Sequence, residues 1–430
     1  MDKAFVLEHC KGGHLYTLVG AGGKSTAMKL MGKHLQAEGY RVILSTTTHL
    51  QKDEFSGYPC HIGPLEDLPM LQGQILAVAG AAGELKYKGY APREWEAFSI
   101  PLDTVVLVEG DGSRRLPFKI PYSYEPVVPI NSARIFLVLS ATVFGKEANT
   151  SNTYNLEGLE ELAGLKPYYT PEVLETAIRL SWLKGGDGGG WYLLMNGCDS
   201  LEDLQGLKKL LGRLRKDIGL EGALVSFHME EAFYKEEETL GAIVLAAGQG
   251  RRMGCPKQLL ELDGETFLAH SVRLAGYRGQ EILVALGYHQ DEIRKKIPAI
   301  GFRYFNVKDF QEGMGASLRE SVFALSPCDA FLVFPCDLPF LEEETVAALL
   351  RFRRRHPDKI LVPRFNGRNG HPVLFPWSVK ERFHQVQGDA GGREIIKGRD
   401  TVFVDLDDPG VAADIDSPEE YMKAGGADIW

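Results

Sequence analysis

An apolar segment that runs directly into a glycine-rich, basic loop limits the folds open to this chain. Residues 242–246 are alanine, isoleucine, valine, leucine and alanine, which predicts a strand buried on both faces of a parallel sheet. The loop that follows contains three glycines, whose backbone N–H groups can turn toward an anion without hindrance from a Cβ. Arg252 and Lys257 add positive charge at the same place. The segment therefore predicts a triphosphate site where the strand ends.

The spacing of the loop glycines does not fit a dinucleotide-binding fold. Gly248 and Gly250 form a G-x-G, but Met253 stands where the third glycine of that fingerprint belongs. The pattern L-A-A-G-x-x-x-R-M-G-x-x-K instead resembles the nucleotide-binding loop of the MobA/MocA-type nucleotidyltransferases, which attach a nucleotide to the molybdenum cofactor. A glycine-rich turn with solvated arginines is the alternative that the residues alone leave open. The resemblance, in which Gly250 replaces a frequent serine, implies nucleotide contacts from Leu245, Ala246, Ala247, Gly248, Gly250, Arg252, Gly254 and Lys257.

Length and composition indicate a cytoplasmic protein of several domains. With 430 residues and a hydrophobic fraction of 44%, the chain can form two or three domains. The formal net charge of −10 argues against a general nucleic-acid or anionic-membrane surface. The six cysteines include no C-x-x-C pair, which argues against the usual zinc spacings and fits a reducing cytoplasm. We expect no signal peptide and no membrane span, because no long apolar run occurs.

A short charged run at 235–239 separates two halves in which strands alternate with helices. This alternation predicts an α/β fold with a mainly parallel sheet in each half. We therefore predict an amino-terminal domain at 1–236, built like a P-loop protein around a parallel sheet. A carboxyl-terminal, Rossmann-like nucleotidyltransferase domain is predicted at 237–430.

The amino-terminal half contains a second glycine and lysine loop, Gly20-Ala-Gly-Gly-Lys-Ser-Thr26, between a predicted strand and a predicted helix. The free backbone N–H groups and the positive end of the helix dipole at a helix N-terminus favour binding of an anion. Lys24 would reach the outer phosphates and Ser25 could hold Mg²⁺. The loop is shorter than a full Walker A motif, which would have glycine in place of Leu18, and a glycine turn with a solvated lysine is the alternative. The predicted nucleotide contacts are Gly22, Gly23, Lys24, Ser25 and Thr26.

Carboxylates follow another apolar strand of the same half. The strand at 104–108 ends in Glu109-Gly-Asp111, which suggests a Mg²⁺ site with Asp111 as a ligand. An Asp-Gly turn is the alternative. Lys119 and Glu125 either complete a pocket or form a surface pair. At 196–199, an Asn-Gly turn is the favoured interpretation.

The motifs of the amino-terminal half occur in one order. G-A-G-G-K-S-T, T-T-T-H, V-E-G-D-G-S and K-x-P-x-x-x-E-P resemble the YqeC family over roughly residues 10–230. That family is described as an accessory factor for selenium-dependent molybdenum hydroxylases. The resemblance implies a nucleotide-binding accessory domain and a molybdenum hydroxylase apoenzyme as a partner.

In the carboxyl-terminal half, Asp337 follows the strand at 330–334 and stands between prolines, which suits a Mg²⁺ ligand. Its alternative is a cap of the next turn. Ser317, in a segment that resembles the family's G-M-x-x-S-L, could hold the base or the ribose, or cap a helix. By resemblance Asp416 is the second Mg²⁺ ligand, with Asp414 a nearby alternative, and Ser417 could cap the following helix.

The acceptor site is implied by resemblance alone. His371, in Asn-Gly-His-Pro, and Arg393, in a glycine-rich stretch that we expect to precede a helix, would face a pterin phosphate. Asp389 either joins them or caps that helix.

Together these features predict a nucleotidyltransferase with Arg252, Lys257 and Asp337 as its catalytic residues, and the resemblance implies that it acts on the molybdenum cofactor. An acceptor phosphate would attack the α-phosphorus of a Mg²⁺-bound NTP and release pyrophosphate. By resemblance, L-A-A-G rather than L-A-G-G favours CTP over GTP, and the acceptor is molybdopterin. Two alternatives stay open: transfer to another phosphorylated acceptor such as a sugar phosphate, and delivery of the cofactor without turnover. The amino-terminal half could also be an NTPase.

Overall fold

The computed structural model describes residues 1–51, 57–69, 74–82, 86–186, 188–279, 281–398 and 400–427, with only the backbone at 50, 51, 82, 236 and 389–391. The chain divides into two compact units, Met1–Glu237 and Glu238–Trp430. Within the described ranges, no helix has both the length and the apolar character that crossing a membrane requires.

Over its described residues, the first unit contains a nine-stranded sheet with helices against it, together with one two-stranded and one three-stranded sheet. The strands are β1 His14–Gly20, β2 Arg41–Thr46, β3 His49–Gln51, β4 Cys60–Ile62, β5 Ile75–Ala79, β6 Ala81–Ala82, β7 Lys86–Lys88, β8 Thr104–Glu109, β9 Phe118–Lys119, β10 Ser132–Ser140, β11 Thr153–Tyr154, β12 Trp191–Asn196, β13 Glu221–Ser226 and β14 Glu231–Glu236. The helices are α1 Lys3–His9, α2 Lys24–Ala37, α3 Pro92–Ala97, α4 Leu156–Ala163, α5 Pro171–Ala177 and α6 Gln205–Ile218.

The order of the large sheet is β14-β13-β12-β10-β1-β8-β2-β5-β4, and every neighbouring pair except β13 and β14 is parallel. All seven residues of β1 are buried, as expected for a central strand covered on both faces. The loops after β1, β2, β8, β10 and β12 therefore leave the same edge of the sheet, where open α/β sheets bind ligands.

The second unit has a mixed sheet. Its strands are β15 Leu240–Ala246, β16 Glu261–Leu262, β17 Glu265–Thr266, β18 Glu281–Leu286, β19 Arg303–Asn306, β20 Ala330–Pro335, β21 Ile360–Phe365, β22 Arg368–Asn369, β23 Val373–Pro376 and β24 Thr401–Asp405. Its helices are α7 Phe267–Gly276, α8 Gln290–Lys296, α9 Met314–Ala324, α10 Glu343–Arg355 and α11 Pro418–Lys423, with 3₁₀ segments at Trp377–Gln385 and Gly388–Lys397. The order is β19-β18-β15-β20-β23-β21-β22, and β24 pairs with β21.

Strand β23 is antiparallel to both of its neighbours, whereas β19, β18, β15 and β20 are mutually parallel. Because β23 runs backwards, the residues just before it lie at the edge where β15 and β20 end. This edge collects residues from both halves of the unit's sequence.

The predicted α/β class with parallel sheets is confirmed for both units. The mainly parallel sheet is found in the first unit, and in the second it is interrupted by β23. The expectation that the stretch at 388–393 precedes a helix is wrong, because Arg393 lies inside the 3₁₀ segment Gly388–Lys397. The P-loop-like character of the first unit stays a prediction.

Candidate active site

The glycine loop after β15 is held in place by a buried glutamine. Gln258 is 2% exposed, and its Nε2 donates to the carbonyl oxygens of Ala246 at 2.8 Å and Gly248 at 3.0 Å. Gly250 has a φ of +66°, and a Cβ there would lie 2.4 Å from the carbonyl oxygen of Cys255. The loop therefore needs glycine at 250, the position where the resembling family often has serine.

A cavity of about 390 Å³ opens beside this loop. That volume is in the range of small-molecule sites. The cavity is lined on one side by the loop and on the other by Tyr288, Phe310 and the first turn of α9. The predicted site residues that line it are Leu245, Ala247, Gly248, Gly250, Arg252, Lys257, Ser317 and Asp337. Ala246, Gly254 and Asp416 are not among these lining residues. The Ala246 carbonyl accepts from Gln258, and the Gly254 N–H donates to the Gly250 carbonyl at 3.0 Å.

Two basic and two acidic side chains, far apart in sequence, meet at one end of the cavity. Arg252 Nη2 donates to Asp416 Oδ2 at 2.5 Å, and Lys257 Nζ contacts the other oxygen of Asp416. Lys257 Nζ also lies 3.7 Å from Asp337 Oδ2. The backbone holds the two carboxylate segments together, because the N–H of Ile415 donates to the carbonyl of Asp337 at 3.1 Å. The structure thus brings together all three predicted catalytic residues and the two Mg²⁺ ligands predicted for this unit, Asp337 and Asp416.

The two carboxylates differ in their protonation equilibria. Desolvation raises the pKa of Asp337; Lys257 opposes this rise, and the negative charges of Asp414 and Asp416 add to it. Desolvation also works to raise the pKa of Asp416, but the ion pairs with Lys257 and Arg252 outweigh it and the pKa is lowered. The ionised form of Asp416 is therefore stabilised by its ion pairs. The ionised form of Asp337 is disfavoured by burial, so a bound cation would stabilise it.

Asp416 is positioned by the cap of α11. The Ser417 hydroxyl accepts from the N–H of Glu420 at 3.3 Å, and the Glu420 carboxylate accepts from the N–H groups of Asp416 at 2.7 Å and Ser417 at 2.9 Å. This reciprocal capping box confirms the structural alternative for Ser417. It leaves the Asp416 side chain directed at the basic loop.

Asp337 and Asp416 are the candidate metal ligands of this site. In the ranges that the structure describes, no group of three or more His, Cys, Asp or Glu side chains is arranged to hold a metal ion. Asp337 and Asp416 nevertheless share Lys257, and Mg²⁺ at phosphate-transfer sites commonly takes one or two carboxylates plus substrate phosphates. The pair therefore fits Mg²⁺ that binds together with a nucleotide.

Ser317 lies inside α9 rather than at its cap. The N-cap is Gly313, with a φ of +111°, and Ser317 is 4% exposed on the cavity wall. Its carbonyl accepts from the Ser321 hydroxyl at 2.6 Å. The capping alternative for Ser317 is therefore wrong, and its role with a ligand stays a prediction.

One predicted acceptor residue, His371, lies near Asp414 and at the edge of the sheet where β15 and β20 end. It lies just before the reversed strand β23, and Arg393 and Asp414 are close enough to influence its charge. The His371 N–H donates to the carbonyl of Val411 at 2.8 Å, and both His371 and Arg393 are exposed. Among the described residues, neither lines the 390 Å³ cavity. The side chain of Asp389 lies outside the described part of the chain.

In the first unit, the loop after β1 has three glycines in positive φ. These are Gly20 at +101°, Gly22 at +100° and Gly23 at +121°. Asn196, at the end of β12, braces the loop: its Nδ2 donates to the carbonyl of Gly22 at 2.9 Å, and its Oδ1 accepts from the Phe227 N–H at 3.0 Å. In the first turn of α2, Thr26 is exposed and Ser25 is half-buried.

A buried cluster of charged side chains lies behind this loop. Lys119 Nζ is 2.8 Å from Asp111 Oδ2 and 2.9 Å from Glu125 Oε1, and it donates to the Gly112 carbonyl at 2.6 Å. Lys24 Nζ donates to the Gly20 carbonyl at 2.5 Å but lies 3.3 Å from Glu109 and 3.4 Å from Asp111. Lys119 is thus saturated by three close partners, and Lys24 is the ammonium group with looser ion pairs.

The same cluster restricts Asp111. Its Oδ1 accepts from the Gly20 N–H at 3.0 Å, and its Oδ2 faces Lys119. A Mg²⁺ ion at Asp111 would have to displace one of these partners. The surface-pair alternative for Lys119 and Glu125 is wrong, because the Lys119 side chain has no exposed surface and that of Glu125 is 12% exposed.

Two family models match the chain. The MobA-like NTP transferase domain matches residues 242–402, and the YqeC protein family matches residues 16–157. A molybdenum cofactor guanylyltransferase from Shewanella pealeana is 30% identical over 195 residues, which cover 43% of this chain and 94% of that protein. The carboxyl-terminal part of the chain belongs to the MobA-like NTP transferase family.

Other relatives match either half of the chain. A molybdenum cofactor cytidylyltransferase from Escherichia coli is 24% identical over 186 residues, or 43% of this chain and 95% of that protein. The uncharacterized protein YqeC of E. coli is 31% identical over 159 residues, or 35% of this chain and 61% of that protein. The chain thus spans less than two thirds of that YqeC protein. It combines a MobA-like NTP transferase domain with a YqeC-type region, and both resemblances are confirmed.

Several residues that shape the sites were not predicted. Gln258 directly follows the basic loop in the sequence, but its burial and its hydrogen bonds to the loop carbonyls are visible only in the structure. Tyr288 and Phe310, with ring centroids 4.7 Å apart, form an aromatic wall of the cavity and carry no motif.

Proposed function

We propose that the carboxyl-terminal unit transfers the nucleotidyl group of an NTP to the phosphate of molybdopterin and releases pyrophosphate. The observation that carries this proposal is the convergence of Arg252, Lys257, Asp337 and Asp416 at the end of a nucleotide-sized cavity. Family membership and relatives that act on the molybdenum cofactor support it.

The chemistry needs alignment and charge neutralisation more than proton transfer. An oxygen of the acceptor phosphate attacks the α-phosphorus, the bond from that phosphorus to the β-phosphate oxygen breaks, and its electron pair leaves with pyrophosphate. The nucleophile is already ionised, so no general base is required. Lys257 and Arg252 would stabilise the negative charge that builds on the phosphates, in a site whose groups are already in position.

Mg²⁺, held by Asp337 and Asp416, would supply further charge neutralisation on the triphosphate. Without a ligand, the Asp416 carboxylate is paired with Arg252 and Lys257, the two cationic side chains that would bind the phosphates. Nucleotide binding would therefore exchange the Asp416 ion pairs for phosphate contacts and free this carboxylate for the metal. His371 and Arg393, beside Asp414, would bind the acceptor phosphate.

We propose CTP as the preferred nucleotide. Ala247 lines the cavity, and its methyl group takes space that a glycine would leave to a larger base. The relatives include both a guanylyltransferase and a cytidylyltransferase, so the preference rests on this residue. An Ala247→Gly variant should shift the ratio of kcat/KM values for CTP and GTP toward GTP.

The decisive experiment measures pyrophosphate release with Mg²⁺, purified molybdopterin and each NTP in turn. We expect release with CTP, and a loss of about 100-fold or more in Asp337→Ala, because a ligand of the proposed metal is removed. Asp405→Ala is the matched control, since Asp405 is an exposed aspartate that pairs with Arg364 elsewhere in the unit. Nucleotide binding without any pyrophosphate release would contradict transfer and favour a delivery protein.

For the first unit, we propose that the loop at 20–24 binds the phosphates of a nucleotide. The support is the set of left-handed glycines before the 14-residue helix α2, together with Lys24, whose carboxylate contacts at 3.3 and 3.4 Å are longer than those of Lys119. Burial works to lower the pKa of Lys24, but Asp111 and Glu109 outweigh it and keep the pKa above the usual value, so the ammonium stays charged. Hydrolysis of the nucleotide and service to a molybdenum hydroxylase are further parts of this proposal.

A further inference from the structure

Two exposed tyrosines and one half-buried tyrosine form an aromatic surface in the first unit, here called the tyrosine platform (Tyr122, Tyr124 and Tyr154). The rings of Tyr122 and Tyr124 stack with centroids 5.7 Å apart and an interplanar angle of 11°. Tyr154 meets Tyr122 edge-on at 5.8 Å. Tyr124 is 72% exposed, so its ring does not contribute to a core. A stacked ring pair that faces solvent is suited to stack a further planar ring.

Cationic groups accompany the tyrosine platform. The guanidinium carbon of Arg114 lies 5.3 Å from the centroid of the Tyr154 ring, and Lys119 Nζ lies 5.2 Å from the same centroid. Arg114 and Arg115 are consecutive residues with φ of 50° and 62°, a backbone that costs free energy in non-glycine residues. An exposed arginine beside an aromatic ring is suited to a ligand that is both planar and anionic.

The buried charged cluster joins the tyrosine platform to the glycine loop. The Tyr122 N–H donates to Glu125 Oε2 at 3.1 Å, and the other oxygen of Glu125 contacts Lys119. Lys119 contacts Asp111, which accepts from the Gly20 N–H and lies 3.4 Å from Lys24. The aromatic surface and the proposed phosphate loop are therefore fixed to one another by charged groups that are almost fully buried.

We propose that the first unit binds a planar aromatic heterocycle that carries a phosphate, with the ring on the tyrosine platform and the phosphate at the loop before α2. The inference rests on the proposed phosphate binding by that loop and adds the recognition of the ring. A nucleotide base and a pterin share this chemistry, and the ligands used in the test separate them.

The test measures binding by calorimetry to the full chain in a Lys257→Ala background, which weakens the nucleotide loop of the carboxyl-terminal unit. The probes are CTP, GTP, dihydroneopterin triphosphate and inorganic triphosphate, each with Mg²⁺. Tyr124→Ala should weaken the ring-containing probe that binds by about 5- to 100-fold, as expected for the loss of one stacking ring, and leave inorganic triphosphate unchanged. Tyr124→Phe should bind like the parent protein, and Tyr168→Ala, at a tyrosine that is 56% exposed elsewhere in the unit, is the matched control.

The outcomes distinguish the two proposals for this unit. Loss of binding in Lys24→Ala with no effect of Tyr124→Ala would overturn ring recognition and leave the phosphate loop standing. Equal weakening of inorganic triphosphate by Tyr124→Ala would also overturn it. A parent protein that binds none of the four probes would overturn both proposals. Preference for dihydroneopterin triphosphate over CTP and GTP would identify a pterin ligand.

Discussion

Asp416 gives the sharpest test of the proposed site, because its replacement should have opposite effects on binding and on turnover. In the ligand-free protein, its carboxylate contacts both Arg252 and Lys257, the cations that a triphosphate would use. Asp416→Asn removes the competing negative charge with almost no change in volume. We therefore expect the variant to bind metal-free nucleotide more tightly than the parent protein does.

The size of the effect follows from exposure. The side chains of Lys257 and Asp416 are 15% and 26% exposed, so their charge-assisted contact is worth about 1.5–3 kcal/mol. The Arg252 side chain is 74% exposed, and solvent screening reduces its pair with Asp416 to about 0.5 kcal/mol or less. The asparagine amide keeps part of these contacts, so we expect nucleotide binding to become more favourable by about 1–2 kcal/mol. That gain corresponds to about 5- to 30-fold tighter binding.

The assay compares CTP affinity in EDTA with pyrophosphate release in Mg²⁺. Asp416→Asn should improve the first and reduce the second by about 100-fold, because a proposed metal ligand is lost. Asp405→Asn, which breaks the Arg364 ion pair on the surface of the same unit, controls for net charge and should change neither. If metal-free CTP binds no better to Asp416→Asn than to the parent protein, the carboxylate does not compete with phosphate and the reasoning is refuted.

Two further predictions concern backbone strain and pH. Gly250→Ala should weaken CTP binding by about 10-fold, because φ of +66° and the close Cys255 carbonyl both disfavour a Cβ. Gly264→Ala, with φ of +79° in open space, should leave CTP affinity unchanged, and equal losses in both variants would argue against a specific effect at the loop. Burial lowers the pKa of Lys11 to about 8 in the folded protein. The Lys11 amine therefore binds its proton more tightly in the unfolded chain than in the native one. Below the native pKa the amine is charged in both states, and its burial in the charged form destabilises the fold. Lys11→Met should therefore raise the unfolding free energy by about 2–3 kcal/mol at pH 7, and this advantage should shrink as pH rises from 8 to 10. Denaturation of both proteins at several pH values measures the difference, and an advantage that does not change with pH would contradict the assignment.

The sequence predicts well those parts of the fold that depend on residues adjacent to one another in the chain. The apolar run at 242–246 and the glycines after it identify the central strand and its loop, and Asp337 is recognisable because it ends another apolar strand between prolines. The direction of β23 could not be predicted, because a hydrophobic run of a few residues has the same pattern in either orientation. Its reversal brings His371 to the edge where Asp337 lies.

Residues that act through long-range contacts were predicted only by resemblance or not at all. Nothing near Asp416 in the sequence indicates its pairing with Arg252 and Lys257, and only the resemblance suggested a place for it beside Asp337. Gln258 was missed because its hydrogen bonds go to backbone carbonyls that only the folded loop presents. Lys119 and Glu125 were ambiguous because burial, which decides between a pocket and a surface pair, depends on the whole sheet.

The pairing of Arg252 and Lys257 with Asp416 has a consequence for synthesis on the ribosome. The basic loop emerges early in the second unit, Asp337 follows, and the segment with Asp416 is among the last parts of the unit to leave the exit tunnel. A nascent chain stalled before that segment would already hold the glycine loop without the carboxylate that balances it. Nascent chains arrested with residue 416 still inside the exit tunnel, and chains extended so that it lies outside, should therefore differ in nucleotide capture and in protease resistance of the loop.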